Sequence, residues 1–364
     1  MGKTFFEKLG YWRRYFKRNT FVFGKGFTPA RFINFLTIEY ELRRSAIKVS
    51  GRPWSLFIDP INTCVLHCPL CGTGQGFKAR EHRVLPYETF VKYLEPLAPY
   101  LYYVKLYNYG EPFLNPRLHD MVRFCSERKI ITQVNSNLNV LTREQAEAVI
   151  LAGLDRLVVS FDGITQEAYT SYRRGGDLAK VKEHLALFSE TKKRLNCSNP
   201  KIVLQYLLTK HNEQEYGRIK AYAESIGAEF FPQPITLDPA NKEQIEAWLP
   251  KNEAYTHYDR AKGIKKKEQP DRFCGFLWND PVINVDGGLS PCCHLFYEST
   301  DFGSLEKESF GKIWNNEKFI AARRIFKDKN IAQKELVCSR CVDVRAFEDM
   351  NFDLINENRT NNLR

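Results

Sequence analysis

The sequence predicts an α/β protein: a partial (β/α)6 barrel preceded by an N-terminal helical extension and followed by a small C-terminal cysteine-bearing domain. Three observations predict it. Between residues 54 and 235, six short β-rich runs alternate with helical stretches, the pattern of parallel strands joined by right-handed crossovers. Residues 1–50 are instead helical and basic, with eleven Lys/Arg against three Asp/Glu. Eight of the ten cysteines gather in two sets, one directly after the first strand and one beyond residue 273. The expected divisions are residues 1–50, 51–245, 246–272 (a charged connector) and 273–364.

In "KTFFEKLGYWRRYFKRN", Phe5, Leu9, Trp12 and Phe16 recur at steps of three and four, and Lys8, Arg13, Arg14, Lys17 and Arg18 fill most of the remaining positions. This is a basic amphipathic helix. It suits either a peripheral contact of residues 1–18 with anionic lipid or packing on its own domain. The next helix, "ARFINFLTIEYELRRSA", has an apolar face wide enough to be buried in protein.

The expected strands are "SLFIDPI", "YVKLYNYG", "ITQVNSN", "RLVVSFD", "KIVLQYLLT" and "AEFFPQPI". Chemistry in such folds gathers at the C-terminal ends of the strands. Those ends read "NTC", "YGEP", "NSN" and "SFDG", so one rim would collect Cys64, Glu111, Asn137, Ser160 and Asp162. Each alone is an ordinary turn or cap residue; together they mark a site. "LPKNEAYTHYDRAKGIKKKEQPDR" reads as a charged helix and connector, and "NFDLINENRTNNLR" as a loose polar tail.

With 364 residues, 43% of them apolar and 13% aromatic, the chain can bury a large core. No tract of eighteen or more apolar residues is present, and the start lacks the features of a secretory signal. A cytoplasmic chain, peripheral at most at the inner membrane face, is therefore expected. Thiols stay reduced there. The net charge of +11 is concentrated in residues 1–50 and in "GIKKKEQ", and no nucleic-acid-binding motif accompanies it, so nucleic acid is not an expected partner.

Cys64, Cys68 and Cys71 form a C-x-x-x-C-x-x-C loop after the first strand. Three thiolates can hold three irons of a [4Fe–4S] cube and leave the fourth open. His67 could complete a Cys₃His zinc site instead, although the adjacent Cys68 leaves little freedom to aim both side chains at one metal. Cys125 and Cys197 read as core or incidental.

This loop, with the strand-end motifs, resembles the radical S-adenosylmethionine superfamily over residues 55–235. The resemblance implies that S-adenosylmethionine chelates the open iron. One electron, from a low-potential donor such as flavodoxin or ferredoxin, would cleave it to a 5′-deoxyadenosyl radical that abstracts hydrogen from substrate. It further implies that Gly110 and Glu111 of "NYGEP" contact the methionyl amino group and Ser136 and Asn137 the ribose. Ser160 and Arg173 would hold the carboxylate, and "IVLQYLLT" would offer the adenine its backbone. The family often places an aromatic residue before the third cysteine; here it is Leu70.

Cys274, Cys292, Cys338 and Cys341, with "FGSLEKESFGKIWNN" between them, resemble the SPASM or twitch module appended to many such enzymes. That implies a second [4Fe–4S] cluster, closed by four thiolates and used for electron transfer. The full peptide-modifying pattern carries about three more cysteines; the shorter set is similar to the module of the aminocyclitol enzyme 2-deoxy-scyllo-inosamine dehydrogenase. A Cys₄ zinc ribbon is the plain structural alternative. Cys293 reads as a neighbour of Cys292, a substitute ligand, or a hydrogen-atom donor.

The expected function is oxidation of an alcohol, or another radical alteration, on a small molecule or lipid-linked glycan. The alternatives are a radical maturase of a ribosomal peptide and, in another class, a zinc- or cluster-bearing redox or nucleic-acid-binding protein. Candidate proton acceptors are His294, Tyr297, Asp162 and Asp238, none with a distinctive spacing.

Overall fold

The computed structural model describes residues 24–77, 79–237, 241–260, 265–266, 274–328 and 336–340. Residues 1–18, Asp238, Cys341 and the polar tail lie outside the described residues.

Helix α1 (Pro29–Arg43) precedes β1 (Ser55–Ile58), and the barrel repeats follow as α2 (Tyr87–Leu94), β2 (Tyr103–Lys105), α3 (Leu118–Glu127), β3 (Ile131–Ser136), α4 (Arg143–Leu151) and β4 (Arg156–Ser160). Two helices, α5 (Gln166–Tyr172) and α6 (Leu178–Arg194), lead to β5 (Lys201–Leu208), then α7 (Tyr216–Ser225) and β6 (Glu229–Pro234). All six expected strands are present and pair in parallel in sequence order, with Leu56 beside Val104, Val104 beside Thr132, and Val134 beside Leu157. The sheet is open, as a partial barrel requires. Helix α5 is an addition to the predicted elements; Thr165 caps it by accepting from the Ala168 amide at 3.3 Å.

Alternation along the strands sorts the side chains. Leu56, Ile58, Val104, Leu106, Val134, Leu157, Val159, Leu204 and Tyr206 enter the main core under the helices. The opposite positions carry Tyr103, Lys105, Gln133, Asn135, Arg156, Ser160 and Gln205, which face the barrel interior. Helix α1 closes the floor. The Arg31 guanidinium donates to the carbonyls of Ala98 (3.0 Å), Arg128 (2.8 Å) and Lys129 (3.3 Å), just ahead of β2 and β3. Asn34 pairs with the backbone of Arg52 ahead of β1. The expectation that this helix is buried in protein holds only for its inner side, since Ile33 and Tyr40 are exposed.

The connector departs from expectation. After α8 (Lys242–Trp248), residues Glu253–Tyr255 make a single 3₁₀ turn, and β7 (Tyr258–Asp259) pairs antiparallel with β8 (Lys265–Lys266). The charged helix predicted there is absent among the described residues. Trp248, Leu249 and Tyr258 bury instead against Leu66 and Cys68 of the cysteine loop, so apolar contact overrides the helical bias of the charged residues.

The C-terminal module is part of the same sheet. Its strand β9 (Val282–Ile283) pairs in parallel with β1, and β10 (Gly288–Ser290) and β11 (Gly303–Ser304) continue the sheet antiparallel. Helices α9 (Phe310–Trp314) and α10 (Glu317–Lys327) bring Trp314 and Phe319 into the main core. Arg80 joins barrel to module through Asp286 (2.8 Å) and Asp301 (2.6 Å). No helix among the described residues is long and apolar enough to cross a membrane.

Candidate active site

The rim is built on close backbone approach. A Cβ on Gly110 would lie 1.7 Å from the Ile61 carbonyl oxygen, so the end of the β2 run can press against the β1 loop only without a side chain. The Glu111 amide then donates to the Thr63 carbonyl at 2.9 Å, one residue before Cys64. Within the cysteine loop a Cβ on Gly74 would lie 2.5 Å from the backbone nitrogen and oxygen of Cys68, because the chain folds back over its own second cysteine.

Glu111 is 1% exposed and organises the ends of two strands. One oxygen accepts from the Ser136 hydroxyl (2.7 Å) and the Phe113 amide (3.2 Å), the other from the Asn137 amide (2.8 Å). Burial pushes its carboxyl up to about 7 against these donors. Three of roughly four acceptor positions on the carboxylate are used by the chain, which leaves capacity for one more donor.

The three thiols sit within electrostatic reach of one another. The Leu66 amide (3.5 Å) and Asn137 Nδ2 (3.4 Å) point at Cys64 Sγ, and Arg173 Nη1 (3.6 Å) at Cys68 Sγ. Burial pushes the Cys64 thiol up to about 11 and the Cys68 thiol up as well. Largely enclosed sulfurs approached by N–H donors suit thiolates bound to a cationic metal centre, which would reverse that upward shift. His67 is exposed and lies toward Gly175, apart from the thiols. Among the described residues no three His, Cys, Asp or Glu side chains converge as a single-ion site would need; a cube takes each thiolate on its own iron. The residues therefore fit a [4Fe–4S] cluster with S-adenosylmethionine, which Cys64, Cys68 and Cys71 would hold.

Arg173 meets Asp162 through its Nε at 2.5 Å. Burial opposes the guanidinium charge, but Asp162 and Cys68 hold its pKa well above the ordinary value. Asp162 is fully buried, and its other oxygen accepts from the Leu207 amide at 2.7 Å. Asp162, expected as a candidate proton acceptor, is paired with the Arg173 guanidinium and positions it. Ser160 ends β4 beside Gln205 and is half-buried on the interior face. Leu70 packs beside the cysteine loop in the same apolar cluster as Trp248.

In the module, Cys292 lies within electrostatic reach of Cys274 and Cys338; burial and these neighbours push its thiol well up. Its neighbour Cys293 is pushed up to about 12, chiefly by burial, and senses Lys105 and Asp280. Both cysteines pack with Cys274, Phe57, Phe276 and Tyr107. The remaining candidate acceptors divide: Tyr297 is 48% exposed, and exposed His294 sits edge-on to Phe276 with ring centroids 6.3 Å apart.

Several interior residues carried no sequence-based assignment. Lys105 Nζ bonds Asp280 Oδ1 at 2.7 Å and lies 4.3 Å from the centre of the Phe57 ring. Gln133 links the Tyr103 hydroxyl (2.5 Å), the Tyr107 hydroxyl (3.2 Å) and Asn135 Oδ1 (2.8 Å). Tyr109 senses Cys293, Cys292 and Cys71, and its ring meets Phe296 at 4.6 Å. The signal was the two-residue alternation in "YVKLYNYG" and "ITQVNSN", which places these polar side chains on one face.

Family models agree with this geometry. Residues 58–219 match the model described as Radical SAM superfamily, and residues 274–342 the SPASM model, described as an iron-sulfur cluster-binding domain. The chain carries a radical SAM domain followed by a SPASM domain. Its cofactors are accordingly a [4Fe–4S] cluster with S-adenosylmethionine and a SPASM-type iron–sulfur centre. The chain is 24% identical over 304 residues to the tungsten-containing aldehyde ferredoxin oxidoreductase cofactor-modifying protein of Pyrococcus furiosus, covering 75% of this chain and 84% of the relative. It is 22% identical over 286 residues to a PqqA peptide cyclase of Granulibacter bethesdensis, covering 72% and 74%. Among solved structures, Streptococcus suis SuiB bound to S-adenosylmethionine superposes with a TM-score of 0.60 at 15% identity, over 85% of this chain and 76% of that one.

Proposed function

We propose that this radical SAM enzyme oxidises a carbinol to a ketone on a polar, hydroxylated substrate held in the barrel interior. The observation that carries the reading is the placement of Cys292 and Cys293 against Phe57 and Tyr107, at the wall of an interior lined by Lys105, Gln133 and Asn135. An electron acceptor held there would lie beside bound substrate. When bound, the reduced cluster with S-adenosylmethionine supplies a 5′-deoxyadenosyl radical that takes a hydrogen atom, and the SPASM centre accepts an electron.

The chain's own residues do the rest. Glu111 and Arg173 offer the acceptor and the cation that an amino acid's two charged groups require. Amide side chains both donate and accept, so Gln133, Asn135, Gln205 and Gln233 suit hydroxyls. Asp280, the carboxylate that meets Lys105 on this face, would take the hydroxyl proton of the carbinol, and Cys274 and Cys292 would hold the centre able to accept the electron left once the hydrogen atom is removed. A low-potential flavodoxin or ferredoxin supplies the first electron.

A second reading, peptide maturation, is supported by the PqqA peptide cyclase relative. One experiment separates the two. Protein reconstituted anaerobically should hold about eight irons per chain and, with dithionite, convert S-adenosylmethionine to 5′-deoxyadenosine. A substrate from cell extract that leaves two hydrogens lighter, with a new carbonyl trapped by hydrazine, supports oxidation. A cross-linked peptide product overturns it in favour of maturation, and a colourless zinc protein overturns both.

A further inference from the structure

Helix α1 is unusual for a surface helix. Its inner side buries Arg31 and Asn34 with Phe35 and Ile38, while its outer side exposes Ile33 (64%), Leu36 (37%) and Tyr40 (58%) at helical spacing. An ordinary surface helix shows the reverse. Four of the nine exposed large hydrophobic residues among the described ones fall between residues 27 and 40. The apolar stripe then runs into exposed Arg43, Arg44 and Lys48; Arg43 meets Glu39 at 3.4 Å, the Arg44 guanidinium bonds the Tyr40 hydroxyl at 2.5 Å, and the set stays net cationic.

We propose that the outer face of α1 docks on an anionic lipid bilayer. An apolar stripe edged by cations fits the boundary between acyl chains and acidic headgroups. Charge selects this occupant over the others. A second copy would bring the same cations against each other. The chain's own preceding residues carry Lys8, Arg13, Arg14, Lys17 and Arg18 in sequence, and laying them on α1 would crowd two cationic sets together. An anionic surface accepts the apolar side chains and neutralises both sets.

The position of α1 gives the docked enzyme an orientation. The helix is fixed beneath the N-terminal ends of β1–β3 by Arg31 and Asn34, whereas Cys64, Glu111 and Asn137 lie at the C-terminal ends. A six-residue strand such as β3 separates floor from rim by about 20 Å. The barrel mouth therefore points away from the bilayer. A lipid-linked substrate in the same bilayer would lie on the wrong side, so a water-soluble substrate is favoured. This inference does not depend on the oxidation reading.

The test is co-sedimentation of the full chain with vesicles of phosphatidylcholine containing about 30% phosphatidylglycerol, beside vesicles of phosphatidylcholine alone. Wild type should bind the acidic vesicles, and binding should fall at about 0.5 M salt. The triple variant Ile33→Ser, Leu36→Ser, Tyr40→Ser should bind about tenfold more weakly, with circular dichroism and S-adenosylmethionine cleavage unchanged. Three results overturn the proposal. One is equal binding to both vesicle types, and another is variant binding at the wild-type level, which would assign any lipid contact to residues 1–18 alone. The third is a concentration-dependent dimer that the triple variant abolishes without vesicle binding by either protein.

Discussion

Replacing Asp162 with Asn tests the positioning of Arg173. The carboxylate is fully buried and the guanidinium side chain is 18% exposed. Asn keeps an oxygen for the Leu207 amide but turns its NH₂ toward Arg173 Nε, so two donors face each other. Removing one partner of a buried ion pair costs about 3–5 kcal/mol. The partial exposure of Arg173 lets water recover some of that loss, which places the expected cost near about 3 kcal/mol. With a urea slope of about 3 kcal/mol per molar for a chain of this size, the midpoint should fall by about 1 M. Anaerobic urea unfolding followed by far-ultraviolet circular dichroism measures it. Adding Arg173→Met removes the orphaned charge, so the double variant should recover about half the loss. An unchanged midpoint for the single variant, or a double variant that falls further still, would refute the pairing. Equilibrium dialysis should also show weaker S-adenosylmethionine binding by Asp162→Asn.

The remaining predictions concern the rim, a buried acid and the paired cysteines. Gly110→Ala places a methyl 1.7 Å from the Ile61 carbonyl oxygen; it should cost about 3 kcal/mol in the same unfolding assay and lower the yield of reconstituted cluster. Asp59 is buried, one of its oxygens lacks a hydrogen-bond partner, and burial raises its carboxyl to about 8. Its folded pKa lies above the unfolded value of about 3.9, so its stabilising contribution is complete below that value and is lost as pH rises through about 8. Melting temperatures from pH 5 to 8.5 should therefore fall more steeply for wild type than for Asp59→Asn, and parallel curves would contradict this assignment. Cys292→Ser should remove about four irons per chain while sparing S-adenosylmethionine cleavage. Cys293→Ser should keep all of them, as iron analysis of the two purified variants would show.

The alternating β-rich and helical runs, and the polar ends of "NTC", "YGEP", "NSN" and "SFDG", made the barrel and its rim legible from sequence, because strand periodicity and cysteine spacing are local properties. Glu111 illustrates the limit. Its place at the rim followed from the motif, but its bonds to Ser136 and Asn137 depend on β2 and β3 being neighbours. Asp162 shows the same limit with the opposite outcome: the sequence gives a carboxylate at a strand end, and only the return of Arg173 and Leu207 shows that both oxygens are occupied. Lys105 and Asp280 lie 175 residues apart and share no local pattern. The connector departs from its helical pattern because Trp248 and Tyr258 bury against the cysteine loop, which outweighs the helical bias of its charged residues.

The two thiol sets are fixed relative to each other by a sheet rather than by a linker, and this bears on the proposed electron transfer. Phe57 of β1 is in register with Val282 of β9 and with Lys105 of β2. The strand that leads into the first cysteine loop thus also seats the module carrying Cys274 and Cys292. Asn279 adds to this by accepting from the Trp54 and Ser55 amides at 2.9 and 3.1 Å. Tyr109 lies within electrostatic reach of Cys71 and of Cys292 and Cys293, with its ring against Phe296. Phe296 in turn fills the space over Gly72, where a Cβ would lie 2.7 Å from its ring. A barrel and module joined only by a flexible chain would let the separation of the two sets vary, and electron transfer would vary with it. Joined through paired strands, the separation changes only if β1 and β9 part.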